Sequence, residues 1–184
     1  MLLSKFRALR KPAVAASVLA LAGVAMAATP ASANQNGTLA AYQLFNFGSN
    51  LCADLPGYGP GVPDGPVNMW DCRPYGDNQL WTYARTRIAT PNIYQIRNSS
   101  DGMCLDLPDY GSVPAGTPVT EYPCATRPIE DNQEWFFFES ETSGRITIQN
   151  VQSRLCLSGL GAPGDRVRVA ECVDGDAYQR WLFS

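Results

Sequence analysis

The sequence contains 184 residues, with 14 basic and 17 acidic side chains, a formal net charge of −3 and no histidine. This length suits one domain of ordinary size, and an acidic chain with scattered arginines is a poor partner for nucleic acid or anionic membranes. The absence of histidine removes the commonest general base and the usual zinc sites.

The first 33 residues have the features of a secretory signal peptide. Four basic residues lie near the N-terminus, an apolar run extends from Pro12 to Ala28, and Ala31, Ser32 and Ala33 provide a small-residue cleavage site. The apolar run is shorter than the roughly 20 strongly apolar residues of a membrane-spanning helix. We therefore expect cleavage after Ala33, secretion of residues 34–184 as one domain, and no membrane insertion.

The rest of the chain repeats with a period of 52 residues. Two residue types carry the period, with each Asn six residues before its Cys: Asn46, Asn98 and Asn150, and Cys52, Cys104 and Cys156. A fixed period carried by several residue types is typical of a repeat fold. Three copies fill the chain, at about 39–85, 86–142 and 143–184, and we call them copies one, two and three.

Within each copy the residues indicate short strands and turns. The segments 42–45, 93–96 and 145–148 are short alternating or β-branched runs, each followed by Asn and turn residues. Gly/Pro-rich stretches at 56–66 and 108–118 recur inside the copies, so we interpret them as surface loops rather than interdomain linkers. No stretch shows helical periodicity, and the predicted fold class is all-β.

The six cysteines fall into three pairs along an exported chain, a context that favours disulfides. Sequence alone allows fifteen connectivities, and we expect sequential pairing at separations of 20, 20 and 16 residues. The expected pairs are Cys52 with Cys72, Cys104 with Cys124, and Cys156 with Cys172. No Cys-x-x-Cys occurs, so we expect no zinc site.

Each copy ends in a Gln-x-Trp motif. The motifs are Gln79 to Trp81, Gln133 to Trp135, and Gln179 to Trp181. Three large aromatic side chains at equivalent positions indicate a shared core, in which each buries about 150–250 Å². We interpret the three tryptophans as core residues and not as ligand contacts.

In combination these features resemble the ricin B-type lectin family. The resemblance rests on three Gln-x-Trp motifs, a Cys-x-Asp near the start of a copy, and an aromatic residue two positions before the second cysteine. It covers nearly all of the chain after residue 33. It implies a β-trefoil with three pseudo-symmetric repeats and three intra-repeat disulfides, and binding of galactose-like or related pyranoses.

Copy one contains side chains that match the chemistry of a pyranose, which offers vicinal hydroxyls and a face of C–H groups. A carboxylate accepts hydroxyl hydrogen bonds, an amide both donates and accepts, and an aromatic ring packs on the C–H face. By the resemblance, Asp54 would accept two hydroxyls and Trp70 would stack on the sugar. Asn78 would bond a hydroxyl, Asn68 would reach the exocyclic group, and Gln79 would orient the carboxylate.

Copy two repeats this set with changes. Asp106 supplies the carboxylate and Tyr122 the ring, while Asn132 and Gln133 supply the amides. Thr120 stands where copy one has its first amide. We expect this site to bind with an altered preference at the exocyclic position.

Copy three lacks the set. Ser158, Ala170 and Tyr178 occupy the positions of the carboxylate, the ring and the second amide, whereas Gln179 and Trp181 are kept. Loss of all three presumed ligand groups together, with the fold-bearing residues retained, suggests that they serve one purpose. We therefore predict two carbohydrate sites.

Other interpretations of the same residues exist. Asp54 and Asp106 could cap turns, and Trp70 and Tyr122 could be core residues. An enzyme is disfavoured because the chain lacks His, a Gly-x-Ser-x-Gly elbow and, if all six cysteines pair, a free thiol. A trefoil that inhibits proteases or binds proteins without binding sugar is the alternative function. We expect no cofactor and no metal, and the sequence leaves the oligomeric state open.

Overall fold

The computed structural model describes residues 40–73, 75, 77–87, 89–139 and 144–184. These residues form thirteen short β-strands and two single-turn 3₁₀ helices, Pro128–Glu130 and Ala177–Gln179, so the all-β fold class is confirmed. Among them no helix has the length and apolar character needed to cross a membrane. The predicted signal peptide and its cleavage site lie outside the described residues.

Each copy forms a four-stranded unit, to which copy one adds a two-residue strand. Copy one contains β1 (Tyr42–Asn46), β2 (Cys52–Asp54), β3 (Gly65–Pro66), β4 (Asn68–Trp70) and β5 (Leu80–Arg85). Copy two contains β6 (Ile93–Asn98), β7 (Cys104–Asp106), β8 (Thr120–Tyr122) and β9 (Trp135–Glu139). Copy three contains β10 (Ile146–Asn150), β11 (Cys156–Ser158), β12 (Arg168–Ala170) and β13 (Trp181–Phe183).

The first and last strands of the three copies form a closed barrel of six antiparallel strands. Their order is β1, β5, β6, β9, β10 and β13, and β13 pairs back with β1. Six of the remaining strands form the hairpins β2–β4, β7–β8 and β11–β12, and the short β3 pairs with β8. A closed barrel leaves no unpaired barrel edge, and this arrangement confirms the predicted β-trefoil.

The three hairpins meet around the pseudo-threefold axis. The backbone N–H of Val67 donates to the carbonyl of Val119 at 3.5 Å, Val119 donates to Val167 at 2.9 Å, and Val167 donates to Val67 at 2.9 Å. All three valines are fully buried. Each hairpin therefore contacts both others, and residues of one copy lie against the hairpin of the next.

The tryptophans of the Gln-x-Trp motifs form the centre of the core, as predicted. Trp81, Trp135 and Trp181 are fully buried. Each indole N–H donates, at 2.9–3.0 Å, to the carbonyl of the residue that follows the first cysteine of its copy, namely Ala53, Leu105 and Leu157. Because the polar atom of each indole is paired, its burial carries no unpaired donor.

The disulfides tie the two strands of each hairpin together. The pairs are Cys52–Cys72, Cys104–Cys124 and Cys156–Cys172, so sequential pairing is confirmed. In every copy the second cysteine comes two residues after the last residue of its hairpin strand. Each bridge therefore fixes the chain directly beside the positions predicted to bind sugar.

Candidate functional site

The β2–β4 hairpin places three predicted site residues on one face. Asp54 lies opposite Asn68, and Cys52 lies opposite Trp70. Successive side chains of a strand point to opposite faces, so Asp54, Asn68 and Trp70 share a face while Met69 points into the core. The Cys-x-Asp and aromatic-x-Cys spacings thus bring a carboxylate, an amide and a ring together.

Gln79 lies behind the carboxylate of copy one. Its Nε2 donates to Asp54 Oδ1 at 3.1 Å and to the carbonyl of Asp71 at 2.9 Å. Its Oε1 accepts from the backbone N–H of Arg73 at 2.7 Å and from Gln43 Nε2 at 3.1 Å. A fully buried amide with four hydrogen bonds has one fixed orientation, and that orientation holds Asp54 in place.

Asp54 lies deep in the face, with 6% of its surface exposed. Burial raises the pKa of Asp54 from 3.8 to about 6, an effect that the hydrogen bond from Gln79 partly opposes. The carboxylate of Asp77 also raises the pKa of Asp54, and the guanidinium of Arg73 lowers it. Asp54 is therefore a largely covered carboxylate at the floor of the copy-one face, ionised at neutral pH.

The two amides of copy one each retain an unpaired oxygen. Asn78 is buried, and its Nδ2 donates to the carbonyl of Gly59 in the 56–66 loop at 2.8 Å. The Oδ1 atoms of both Asn78 and Asn68 are buried and accept no hydrogen bond from the described residues. Buried acceptors of this kind are rare in folded proteins.

An arginine at the edge of the copy-one face was not predicted from the sequence. Arg73 Nη1 donates to the hydroxyl of Tyr58 at 3.2 Å and to Asp77 Oδ2 at 3.0 Å. The guanidinium carbon lies 5.3 Å from the centroid of the Tyr58 ring and 6.0 Å from that of Trp70. The signal in the sequence was an arginine directly after the second cysteine, which copies two and three lack.

Copy two places its predicted residues in the same register. Asp106 lies opposite Thr120, and Cys104 lies opposite Tyr122. Asp106 is 5% exposed and Tyr122 is 39% exposed, and Thr120 Oγ1 lies 3.4 Å from Asp106 Oδ2. Burial raises the pKa of Asp106 to about 7, with Gln133 and Thr120 opposing the rise and nearby acidic groups adding to it.

The side-chain amides of copy two leave fewer unpaired oxygens within the protein than those of copy one. Asn132 Nδ2 donates to the carbonyl of Asp109 at 3.0 Å, and its Oδ1 accepts from the N–H of Leu107 at 3.3 Å. Gln133 is fully buried and accepts from the N–H of Ala125 at 2.8 Å. Asn132 therefore anchors the long loop of its copy and, unlike Asn78, has no unpaired buried oxygen.

Copy three presents no carboxylate at the equivalent position. Ser158 is buried, and Ala170 leaves the position of the aromatic ring without a flat surface. Tyr178 packs over Gly48, where a Cβ atom would lie 2.4 Å from the tyrosine ring. Gln179 still donates to a backbone carbonyl at 2.7 Å and accepts from a backbone N–H at 2.9 Å, so its role here is structural.

A cavity of about 530 Å³ lies between the last strand of copy two and copy three, and it was also not predicted. Its walls include Phe138, Thr147 and Arg180. Thr147 stands where copies one and two have Gln43 and Gln95, which reach the motif glutamine with their Nε2 atoms at 3.1 and 3.3 Å. An equivalent space of about 390 Å³ lies beside Gln95 in copy two, so the change at position 147 does not by itself account for the cavity.

Comparison with known proteins places the chain among lectin-like trefoils. Residues 40–183 match the sequence model of the ricin-type beta-trefoil lectin domain. The designed threefold-symmetric protein ThreeFoil is 19% identical with a TM-score of 0.63, covering 77% of this chain and 96% of its own. Comparison with curated proteins finds no match.

Two natural lectins show the same similarity. The Rhizoctonia solani agglutinin is 18% identical with a TM-score of 0.61, covering 79% of this chain and 96% of its own. The ricin B-like lectin of Macrolepiota procera, solved in complex with lactose, is 20% identical with a TM-score of 0.60, covering 79% and 94%. At these identities the structural matches establish the fold.

Proposed function

This chain belongs to the ricin-type β-trefoil lectin family, and from that premise we propose that it is a secreted lectin that binds galactose-like or related pyranoses in copies one and two. Membership of the family supports a carbohydrate-binding, non-catalytic role. The observation that carries the finer proposal is the copy-one face, where Asp54, Asn68 and Trp70 converge with Gln79 behind them.

The carboxylate of copy one fits a ligand rich in hydroxyl groups. Asp54 accepts one protein hydrogen bond, through Oδ1, so its other oxygen is left for a sugar hydroxyl. A bond from a hydroxyl to an ionised carboxylate is roughly twice as strong as a neutral one. Trp70 would then pack against the C–H face of the same sugar.

Copy two would bind with a different balance of contacts. Tyr122 offers an exposed ring, and Asp106 with Thr120 offers a carboxylate and a hydroxyl, whereas Asn132 is occupied by its own loop. The lactose bound by the Macrolepiota procera lectin supports galactose-like units as the ligand class. Each site alone should be weak, and two sites on one branched or polymeric glycan would raise the apparent affinity.

The depth of the carboxylates favours a second candidate function. Asp54 and Asp106 are almost covered, which would also suit structural carboxylates in a trefoil that binds a protein through its surface loops. A glycan array on the purified protein separates the two functions. We expect binding to glycans with terminal galactose-like units, and a folded protein that binds no glycan on the array would favour the alternative.

Carbohydrate binding should strengthen as the pH rises from about 5 to 7. The pKa of Asp54 is about 6 and that of Asp106 about 7, and only the ionised carboxylate accepts two sugar hydroxyls. At pH 5 we expect about tenfold weaker binding in copy one and about a hundredfold in copy two, following the ionised fraction. Isothermal titration with lactose on Asp106→Ala and Asp54→Ala variants would measure each site separately.

The free energy of unfolding should respond to pH in the opposite direction to the carbohydrate affinity. Both pKa values lie above the ordinary value of 3.8, so the folded state holds protons that the unfolded state has released between about pH 4 and 7. The contribution of these two groups to the free energy of unfolding is therefore largest below pH 4 and declines as the pH rises.

Affinity that is constant from pH 5 to 8 in both single-site variants would contradict the carboxylate mechanism.

A further inference from the structure

Copy two has a carboxyl group at a position that faces the core. Glu121 is equivalent by the repeat to Met69 and Val169, which are both fully buried hydrophobic residues. Glu121 is 1% exposed, and no positively charged side chain of the described residues forms an ion pair with it. A buried, unpaired carboxyl group is costly, so its presence requires an explanation.

Glu121 contacts the loop of copy one. A Cβ atom built on Gly61 would lie 1.4 Å from Glu121 Oε1, so the backbone of the 56–66 loop passes directly over the carboxyl group. The carbonyl of Glu121 accepts from the N–H of Asp64 at 2.9 Å, and Gly65 pairs with Glu121 in the β3–β8 ladder. The loop of copy one is thus held on the hairpin of copy two.

A second carboxyl group completes this attachment. Asp101 Oδ2 accepts from the N–H of Gly61 at 2.9 Å, and its Oδ1 accepts from the N–H of Met103 at 2.8 Å. Burial, and then the charge and hydrogen bonding of Asp101, raise the pKa of Glu121 to about 8, and the N–H of Val62 opposes the rise. Glu121 Oε2 is buried and has no hydrogen-bond partner among the described residues, and a proton on Glu121 accounts for this pair of neighbouring carboxyl groups without a cation.

The other charged groups around Glu121 do not neutralise it. In the loop itself Asp64 approaches through its backbone N–H, and its side chain is exposed. From copy three, Arg166 donates through Nη2 to the carbonyl of Val119 at 2.7 Å, two residues before Glu121, and forms no ion pair with it. The proton on the carboxyl pair is therefore the remaining means of limiting repulsion.

The same loop carries contacts of the copy-one site. The carbonyl of Gly59 accepts from Asn78 Nδ2 at 2.8 Å, and the hydroxyl of Tyr58 accepts from Arg73. Gly61 comes three positions after Tyr58 and two after Gly59, so displacement of Gly61 would move both contacts. The attachment on copy two is in this way linked to the face of copy one.

We propose that Glu121 is a positioning residue for the carbohydrate site of copy one, and that its protonated carboxyl group, buried under the loop beside Asp101, holds the 56–66 loop closed. This inference rests on the proposed lectin function. The loop of copy two has no such pair, because Gly116 donates to the carbonyl of Val169 at 2.7 Å and Val169 occupies the position of Glu121 in copy three. The attachment of the loop through Glu121 would therefore act on the copy-one site only.

The direction in which loop opening depends on pH follows from the closed and open states of the 56–66 loop. When the loop opens, Glu121 meets water and its pKa returns towards the ordinary value of 4.5, against about 8 in the closed state. Between these values the closed state holds a proton that the open state has lost. Opening should become up to about tenfold easier per pH unit within this window and level off above about pH 8.

Hydrogen exchange at the amides of Gly61 and Asp64 tests the attachment directly. Glu121→Gln keeps the shape of the protonated carboxyl group and cannot ionise, so the loop opening of this variant should not depend on this titration. The ratio of protection factors between Glu121→Gln and the unmodified protein should rise with pH by up to about tenfold per unit. Amides of β5 serve as the control, and a ratio at Gly61 and Asp64 that is constant between about pH 5 and 8 would overturn the proposal.

Binding of lactose tests the link to the site. In Asp106→Ala, which leaves copy one, affinity should fall by up to about tenfold between pH 7 and 8, and adding Glu121→Gln should remove that fall. In Asp54→Ala, which leaves copy two, Glu121→Gln should not alter the pH profile. If Asp106→Ala binds no sugar at any pH, the assignment of a lectin site to copy one is wrong. If the affinity of Asp106→Ala depends on pH in the same way with and without Glu121→Gln, the positioning role of Glu121 is wrong.

Discussion

Replacement of Asp54 and Asp106 together by alanine should abolish carbohydrate binding, whereas either replacement alone should leave one working site. Each residue is the carboxylate of its hairpin face, placed opposite the amide or hydroxyl of the neighbouring strand. A hydrogen bond to a charged group contributes about 1.5–3 kcal/mol, and two such bonds are lost per site. We therefore expect each single change to weaken its site at least about a hundredfold.

Ser158 provides the matched control for these two changes. It occupies the same position of the repeat in copy three, is buried to a similar extent, and lies on a face without a ring or carboxylate. Isothermal titration should therefore find Ser158→Ala equal to the unmodified protein. Thermal melts would show that each variant is folded. Unchanged affinity in a folded Asp54→Ala, Asp106→Ala protein would refute the assignment of the sites.

The parts of the fold that were predictable are those that the repeat copies three times. The equivalent tryptophans are core residues because each indole N–H finds the same backbone carbonyl in its own copy. The cysteine spacings predicted the disulfides because hairpins of similar length recur. A contact made three times leaves a period in the sequence, and a period is visible without a structure.

Features that occur in one copy only were not predictable in this way. The path of the 56–66 loop depends on its attachment to Glu121 of copy two, a contact that no spacing rule encodes. Arg73 and Glu121 each stand at positions where the other copies have an uncharged residue, so the repeat predicted no role for them. These departures from the repeat are the features that distinguish the copy-one site.

Copy three illustrates the same distinction between repeated and unrepeated features through the residues that it lacks. Its Ser158, Ala170 and Tyr178 were predicted to end sugar binding, and Ser158 and Ala170 leave the positions of the carboxylate and of the stacking ring without those groups. The cavity beside Thr147 has a counterpart beside Gln95 in copy two, so it is not a product of the substitution at position 147. Substitutions relative to the repeat therefore report the loss of a binding surface.

Reduction of the three disulfides should destabilise the domain more than any single substitution considered above. Closing loops of 20, 20 and 16 residues restricts the unfolded chain, at about 3 kcal/mol for each bridge. Their sum is comparable with the entire stability of a typical domain, about 5–15 kcal/mol. For a chain of this size we expect a melting temperature at least about 15 °C lower in thiol.

The replacement of one bridge separates this scaffold effect from the sites. Cys156→Ala with Cys172→Ala removes the shortest loop, in the copy predicted not to bind sugar. The variant should melt about 6–12 °C lower, yet bind lactose as the unmodified protein does at temperatures where both are folded. The bridges of copies one and two hold the hairpins that present Asp54 and Asp106. Loss of the copy-three bridge should therefore lower the fraction of folded protein without changing these two sites. A melting temperature unaffected by thiol, with six free thiols verified by titration, would show that the closed barrel alone determines stability.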